Sequence, residues 1–148
     1  MIRATQSAAE PPIRVFLVDD HPALRQGLRS LLGRHRDIDV VGEAGDGLAA
    51  LESVAALKPD VVIMDLALPR LGGVAATGWI KTMYPDVEVL VLTGSAERGY
   101  LPLLLAAGAA GYLLKEGRPD DVLRAIRAVA AGGCYLDPAL DVPATAPS

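Results

Sequence analysis

Val61-Val62-Ile63-Met64-Asp65 is an unbroken apolar run that ends in a carboxylate. Lys58-Pro59-Asp60 breaks the chain just before it, and Pro69 with Gly72-Gly73 makes a loop just after it. A near-continuous apolar run, rather than an alternating one, implies a strand buried on both faces. The same design recurs along the chain. Val15-Phe16-Leu17-Val18 runs into Asp19-Asp20, Val87 to Leu92 runs into Thr93, and Gly111-Tyr112-Leu113-Leu114 runs into Lys115. Val40-Val41 marks a further short strand.

Helical patterns fill the intervals. Pro22 can open a helix at its first turn, where its missing N–H is not needed, and Leu24, Leu28, Leu31 and Leu32 recur on one face. Gly45-Asp46-Gly47 is a turn, after which Leu48, Leu51, Val54 and Leu57 mark the next helix. Another runs from about Val74 to Tyr84 and stops at Pro85-Asp86. In the last, Pro119 stands at the start, Asp120 and Asp121 complement the positive end of the dipole, and Gly132-Gly133 closes it. Val122, Ile126 and Val129 give this helix its buried stripe. Strand and helix alternate, so the expected fold class is α/β, a doubly wound parallel sheet of five strands flanked by five helices.

Composition bounds the function. The 148 residues are 51% apolar and 22% charged, enough for one compact domain with a real core. The expected organisation is a flexible tail over 1–12, a folded domain over 13–136 and a Pro/Ala-rich linker over 137–148. A net charge of −4 argues against nucleic-acid binding by this segment, which would want a basic stripe. Cys134 is the only cysteine, which excludes an internal disulfide, fits a reducing compartment and leaves no zinc site. Residues 1–12 lack the apolar core of a signal peptide, and the greasiest stretch, Leu101 to Leu114, is 14 residues long and interrupted by Pro102, Gly108 and Gly111. The expectation is a cytoplasmic chain with no membrane contact.

If the four long runs are neighbouring parallel strands, Asp19, Asp20, Asp65, Thr93 and Lys115 meet along one sheet edge. In open α/β sheets, ligands bind outside the carboxyl ends of the strands. Clustered carboxylates are costly to hold together without a cation, and oxygen donors of this kind favour a hard ion, Mg²⁺ above all. One carboxylate can also act as a nucleophile and form an aspartyl phosphate. Lysine supplies a mobile charge and threonine a hydrogen bond to a phosphoryl oxygen. Taken singly, each is more readily a solvated loop acid, a helix cap or a surface charge. Their joint occurrence at successive strand ends points to phosphoryl chemistry.

Asp19-Asp20-His21-Pro22, Asp65 followed by Pro69 and Gly72-Gly73, Leu92-Thr93, and Ala107-Gly108-Ala109-Ala110-Gly111-Tyr112-Leu113-Leu114-Lys115 together resemble the receiver domain of bacterial two-component response regulators. The Asp-Asp-His-Pro start and the Gly-Tyr-Leu-Leu-Lys stretch resemble its NarL/FixJ (LuxR-type) branch. The resemblance covers roughly Ile13 to Pro138. It implies a flavodoxin-like strand order 2-1-3-4-5 and a phosphoacceptor at Asp65, served by a sensor histidine kinase. It further implies Mg²⁺ (or Mn²⁺) held by Asp20 and Asp65, with Asp19 assisting through water and the backbone carbonyl of Ala67 completing the protein ligands. Thr93 and Lys115 would engage the phosphoryl group. Thr93 and Tyr112 would form the switch, against the plainer reading of Tyr112 as a half-buried strand aromatic. The face made by the fourth helix, fifth strand and fifth helix would change its partner or dimer preference. Regulators of this branch carry a DNA-binding output domain, which is absent from these residues, so control of transcription would lie outside them.

The chain departs from the family in places. Leu68 replaces a frequent methionine, Ala67 offers no side chain beside the phosphoacceptor, and Gly94 follows the switch threonine. The largest departure lies between Ala96 and Ala107, where the family has a charged, regular helix. Pro102 inside a helix would cost roughly 3 kcal/mol or more, so the helix is expected to begin late, near Leu101, or to be irregular before it. Leu103-Leu104-Leu105 cannot all face one core, so Leu101, Leu103 and Leu104 are candidates for a hydrophobic homodimer or partner contact, against the plainer reading of a slightly greasy surface.

Two rival functions fit these residues less well. A dehalogenase-type phosphohydrolase also uses a strand-end Asp and Mg²⁺, but it resembles Asp-x-Asp, and here Leu66 and Ala67 follow Asp65. A phosphorylation-independent interaction module would have no need of all five polar residues. Neither Gly-rich nucleotide fingerprint follows the first strand.

Overall fold

The computed structural model describes residues 10–94 and 99–138. Strands β1 (Ile13–Val18), β2 (Ile38–Ala44), β3 (Val61–Asp65), β4 (Glu88–Thr93), β5 (Gly111–Leu114) and β6 (Tyr135–Leu136) alternate with helices α1 (Pro22–Leu32), α2 (Gly47–Leu57), α3 (Gly73–Met83), α4 (Leu101–Ala106) and α5 (Pro119–Ala130). The sheet order is β2-β1-β3-β4-β5-β6, and every neighbouring pair is parallel. The doubly wound 2-1-3-4-5 order is therefore present, with a sixth strand added at the β5 edge.

That sixth strand has a simple cause. Gly132, at φ +92°, turns the chain out of α5 in the left-handed region that glycine tolerates. Tyr135 N–H then donates to the Ala110 carbonyl at 3.0 Å and Asp137 N–H to the Tyr112 carbonyl at 2.9 Å. Asp137 is only 3% exposed, so the packed region includes this residue, which composition alone puts in the following linker. Residues 1–9 of the expected tail and 139–148 of the expected linker lie outside the described residues.

Alternate residues of each strand serve two cores. Phe16, Val18, Met64, Val91 and Tyr112 pack with Val54 of α2, Ile80 of α3 and Leu104 of α4. Val15, Leu17, Ile63 and Leu113 pack on the other face with Leu28 and Leu32 of α1 and Ile126 and Val129 of α5. All five residues of β3 are buried, as its unbroken apolar run requires.

Helix α4 begins at Leu101, as expected, with Pro102 in its first turn, where no helical N–H is lost. Residues 95–98, just before it, lie outside the described residues. The leucine assignment needs one correction. Leu104 is fully buried in the α2–α3–α4 core, whereas Leu103 and Leu105 are 55% and 53% exposed. Successive helical residues are about 100° apart, so one leucine of three points inward, and it is Leu104. Leu101 is partly buried against the same core. The exposed apolar face is thus Leu103 and Leu105, and Leu104 cannot serve a partner.

Candidate functional site

Strand register assembles the acidic cluster. Val18 of β1 stands opposite Met64 of β3, so the next residues, Asp19 just past β1 and Asp65 at the end of β3, lie side by side where the strand order reverses. Both are buried, Asp65 at 2% exposure, while Asp20 faces solvent. Asp19, Asp20, His21 and Asp65 each offer a ligand atom, all within 4.8 Å of one another.

A glycine makes the approach on the other side. A Cβ on Gly73 would lie 2.4 Å from the Asp65 carbonyl oxygen, so only glycine lets α3 start this close to β3. Gly73 N–H donates to the Leu66 carbonyl at 2.9 Å. Ala67 lies exposed in the intervening loop.

Lys115 arrives from two strands away. Its Nζ is 3.0 Å from Asp65 Oδ1 and 3.4 Å from Asp19 Oδ2. Its backbone N–H donates to the carbonyl of buried Thr93 at 2.7 Å, which ties the ends of β4 and β5 together. Tyr112 is fully buried on β5, opposite Val91 of β4, and not half-exposed as the plainer reading has it.

Sequence reasoning left His21 out of the set of working residues. Its backbone N–H donates to Asp19 Oδ1 at 2.8 Å, and its Nδ1 lies 2.9 Å from that oxygen and 3.1 Å from Asp20 Oδ1. The signal was its position directly after the acidic pair. Arg25 of α1 donates to the Asp19 carbonyl as well, so the backbone at the end of β1 is held from the helix side.

The electrostatics follow from burial and crowding. Burial pushes the Asp65 carboxyl up, Lys115 pulls it down, and Asp19 with Asp20 push it up again, leaving it above its ordinary value. Burial pulls the Lys115 ammonium down, but its bonds to Asp65 and the charge of Asp19 outweigh this and hold it above its ordinary value. Asp65 Oδ2 is buried without a hydrogen-bond partner among the described residues. A buried oxygen in that state is unfavourable unless something binds it. An orphaned carboxylate oxygen beside Asp19 and Asp20 fits a hard divalent ion that prefers oxygen ligands.

Residues 15–127 match the family described as the response regulator receiver domain. The chain belongs to that family.

Among relatives of this receiver domain is the transcriptional regulatory protein DegU of Brevibacillus brevis, 40% identical over 87% of this chain and 55% of that protein. The DNA-binding transcriptional activator DevR/DosR of Mycobacterium tuberculosis is 40% identical over 84% of this chain and 58% of its own length. The chain spans a little over half the length of these relatives. Among solved structures, the signal receiver domain of the response regulator NarL from Mycobacterium tuberculosis superposes with a TM-score of 0.79 at 33% identity, covering 83% of this chain and 99% of that one. A LuxR-family two-component response regulator from Aurantimonas gives 0.81 at 37% identity, covering 87% and 92%. These relatives agree with the NarL/FixJ branch that the motifs resemble. The receiver domain is a signalling unit rather than a metabolic enzyme, and receiver domains bind Mg²⁺. Among the described residues no helix is long and apolar enough to cross a membrane.

Proposed function

We propose that Asp65 of this receiver domain accepts a phosphoryl group from the phosphohistidine of a sensor histidine kinase. One observation carries the reading: a buried carboxylate with one oxygen held by Lys115 and the other without a partner. An Asp65 oxygen forms the new O–P bond as the P–N bond breaks, and the electron pair leaves with the histidine nitrogen. Asp20 and Asp65, with Asp19 and the Ala67 carbonyl in support, would hold Mg²⁺, or Mn²⁺ in its place. Bound there, the ion supplies charge neutralisation for the transferred phosphoryl group, which needs positioning more than covalent chemistry.

Lys115 and Thr93 stand at the ends of the adjoining strands and would take the phosphoryl oxygens. Thr93 and Tyr112 then form the switch, and the α4–β5–α5 face changes its partner preference. This is a local charge event biasing a two-state element. Exposed Leu103 and Leu105 support a homodimer contact on that face. The regulators it resembles suggest a transcriptional output and a cytoplasmic setting.

Transfer from an autophosphorylated histidine kinase core tests the reading. The expected product carries a phosphoryl group that hydroxylamine removes, the behaviour of an acyl phosphate. A hydroxylamine-resistant adduct, or none, would contradict it and leave the phosphorylation-independent module as the better account.

A further inference from the structure

The carboxylate of Asp137 is buried, lies outside the acidic cluster and has no part in the phosphoryl chemistry above. We propose that it is a positioning residue for Lys115, fixing the backbone from which the lysine ammonium reaches the phosphoryl site. The proposal rests on the reading of Lys115 as the phosphoryl-binding cation.

The geometry is that of a ladder completed by a side chain. Along the outer edge of β5, β6 offers main-chain bonds at Ala110 and Tyr112. The next rung needs an acceptor for the Leu114 N–H, but β6 ends at Leu136. Asp137 Oδ2 takes that rung, accepting from Leu114 N–H at 3.0 Å in a buried setting. On the opposite edge the following N–H, that of Lys115, donates to the Thr93 carbonyl at 2.7 Å, and the Leu114 carbonyl accepts from Gly117 N–H at 3.0 Å. The two peptides that flank Leu114, the second of which leads into Lys115, are thereby held from both edges of the strand.

This matters because lysine is long and rotatable, and only its root can be fixed by the fold. A charge-assisted bond to a carboxylate is about twice as strong as a neutral one, which suits the free end of a strand. The site is also built to admit the carboxylate. A Cβ on Gly117 would lie 3.2 Å from both Asp137 Oδ2 and the Leu114 carbonyl oxygen and 3.7 Å from Asp121 Oδ2, so a side chain there would press on the acceptor and on the backbone beside it. Because Asp137 directly follows β6, its side chain ties the strand that leads into Lys115 to the last described stretch of the chain.

The test separates the two ends of the site. Mg²⁺ affinity reads the acids at the ends of β1 and β3, whereas beryllofluoride affinity at saturating Mg²⁺ also reads Lys115. Asp137→Ala is expected to weaken beryllofluoride binding about three- to tenfold, since small misplacements at a reacting centre are costly, with Mg²⁺ affinity unchanged within about twofold. Leu114 amide exchange should accelerate in the same variant. Asp137→Asn keeps an oxygen that accepts the Leu114 N–H and should stay within about twofold of the parent on both ligands. Gly117→Ala, which crowds the acceptor and the Leu114 carbonyl without removing either, should fall between the two and serves if Asp137→Ala does not fold. Unchanged beryllofluoride affinity in Asp137→Ala, despite faster Leu114 exchange, would overturn the proposal. So would parallel losses of Mg²⁺ and beryllofluoride binding. A parent protein that binds no beryllofluoride at all would instead count against the phosphoacceptor reading itself.

Discussion

The Lys115 ammonium stands 3.0 Å from Asp65 Oδ1, although the two residues lie at the ends of strands that β4 separates. Two strand spacings are roughly 9.6 Å, a gap that only a long side chain can bridge. The contact therefore depends on lysine's stem as well as on its charge. Lys115→Met keeps most of the length and removes the cation. Acetyl phosphate-driven phosphorylation of this variant should slow about ten- to a hundredfold, the worth of one buried hydrogen bond to a charged group. Initial rates by intact mass measure it, and a rate within twofold of the parent would remove Lys115 from the site.

Gly72 and Gly73 are neighbours with opposite expectations. A Cβ on Gly72 meets nothing within 4 Å, whereas one on Gly73 would sit 2.4 Å from the Asp65 carbonyl oxygen and 2.8 Å from Leu66 Cα. These are backbone atoms, which cannot swing aside. Gly73→Ala should destabilise by about 1–3 kcal/mol, the range for overpacking, and should weaken Mg²⁺ binding by shifting Asp65. Gly72→Ala should do neither. Thermal melts with and without Mg²⁺ check the pair.

The three leucines of α4 separate folding from association. Leu104→Ala should lose about 2–5 kcal/mol of stability, because it empties a fully buried site. Leu103→Glu with Leu105→Glu should leave the melting temperature within a few degrees and reduce self-association of the beryllofluoride-bound protein. Sedimentation equilibrium at high concentration measures the second effect, and identical association in parent and variant would discard this face as a homodimer contact.

Glu43 gives the acid limb of stability a source. Its Oε2 is 2.6 Å from Arg29 and its Oε1 2.7 Å from Arg25. The bonds to Arg29, then Arg25, hold its pKa below the ordinary value of 4.5. A carboxyl depressed in the folded state contributes stability that is present above the unfolded pKa and lost as pH falls through the folded one. Glu43→Gln should therefore flatten the decline in stability below about pH 4.5. At neutral pH, its loss should stay below about 1 kcal/mol, because the pair is solvent-screened. Urea midpoints across pH 3–7 test this.

Much of this was legible in the chain because burial writes a plain signal. The continuous runs Val61–Met64 and Val15–Val18 could only be strands covered on both faces, and that fixed where Asp65, Asp19 and Lys115 would emerge. Strand β6 was not legible, since two residues, Tyr135 and Leu136, carry no period. Asp137 looked like linker because an acid beside Pro138 ordinarily faces water, and its partner, the Leu114 N–H, is 23 positions away. The phase of α4 was equally hidden. Six residues hold too little pattern to say which leucine turns inward, and the answer came from packing against Tyr112 and Ile80 in one core.

The most direct measurement is intact mass after incubation with acetyl phosphate, with and without Mg²⁺, for the parent chain and Asp65→Asn. The account predicts a Mg²⁺-dependent gain of one phosphoryl group in the parent and none in the variant. A parent that gains no phosphoryl group and binds no beryllofluoride, or an Asp65→Asn variant phosphorylated like the parent, would contradict it.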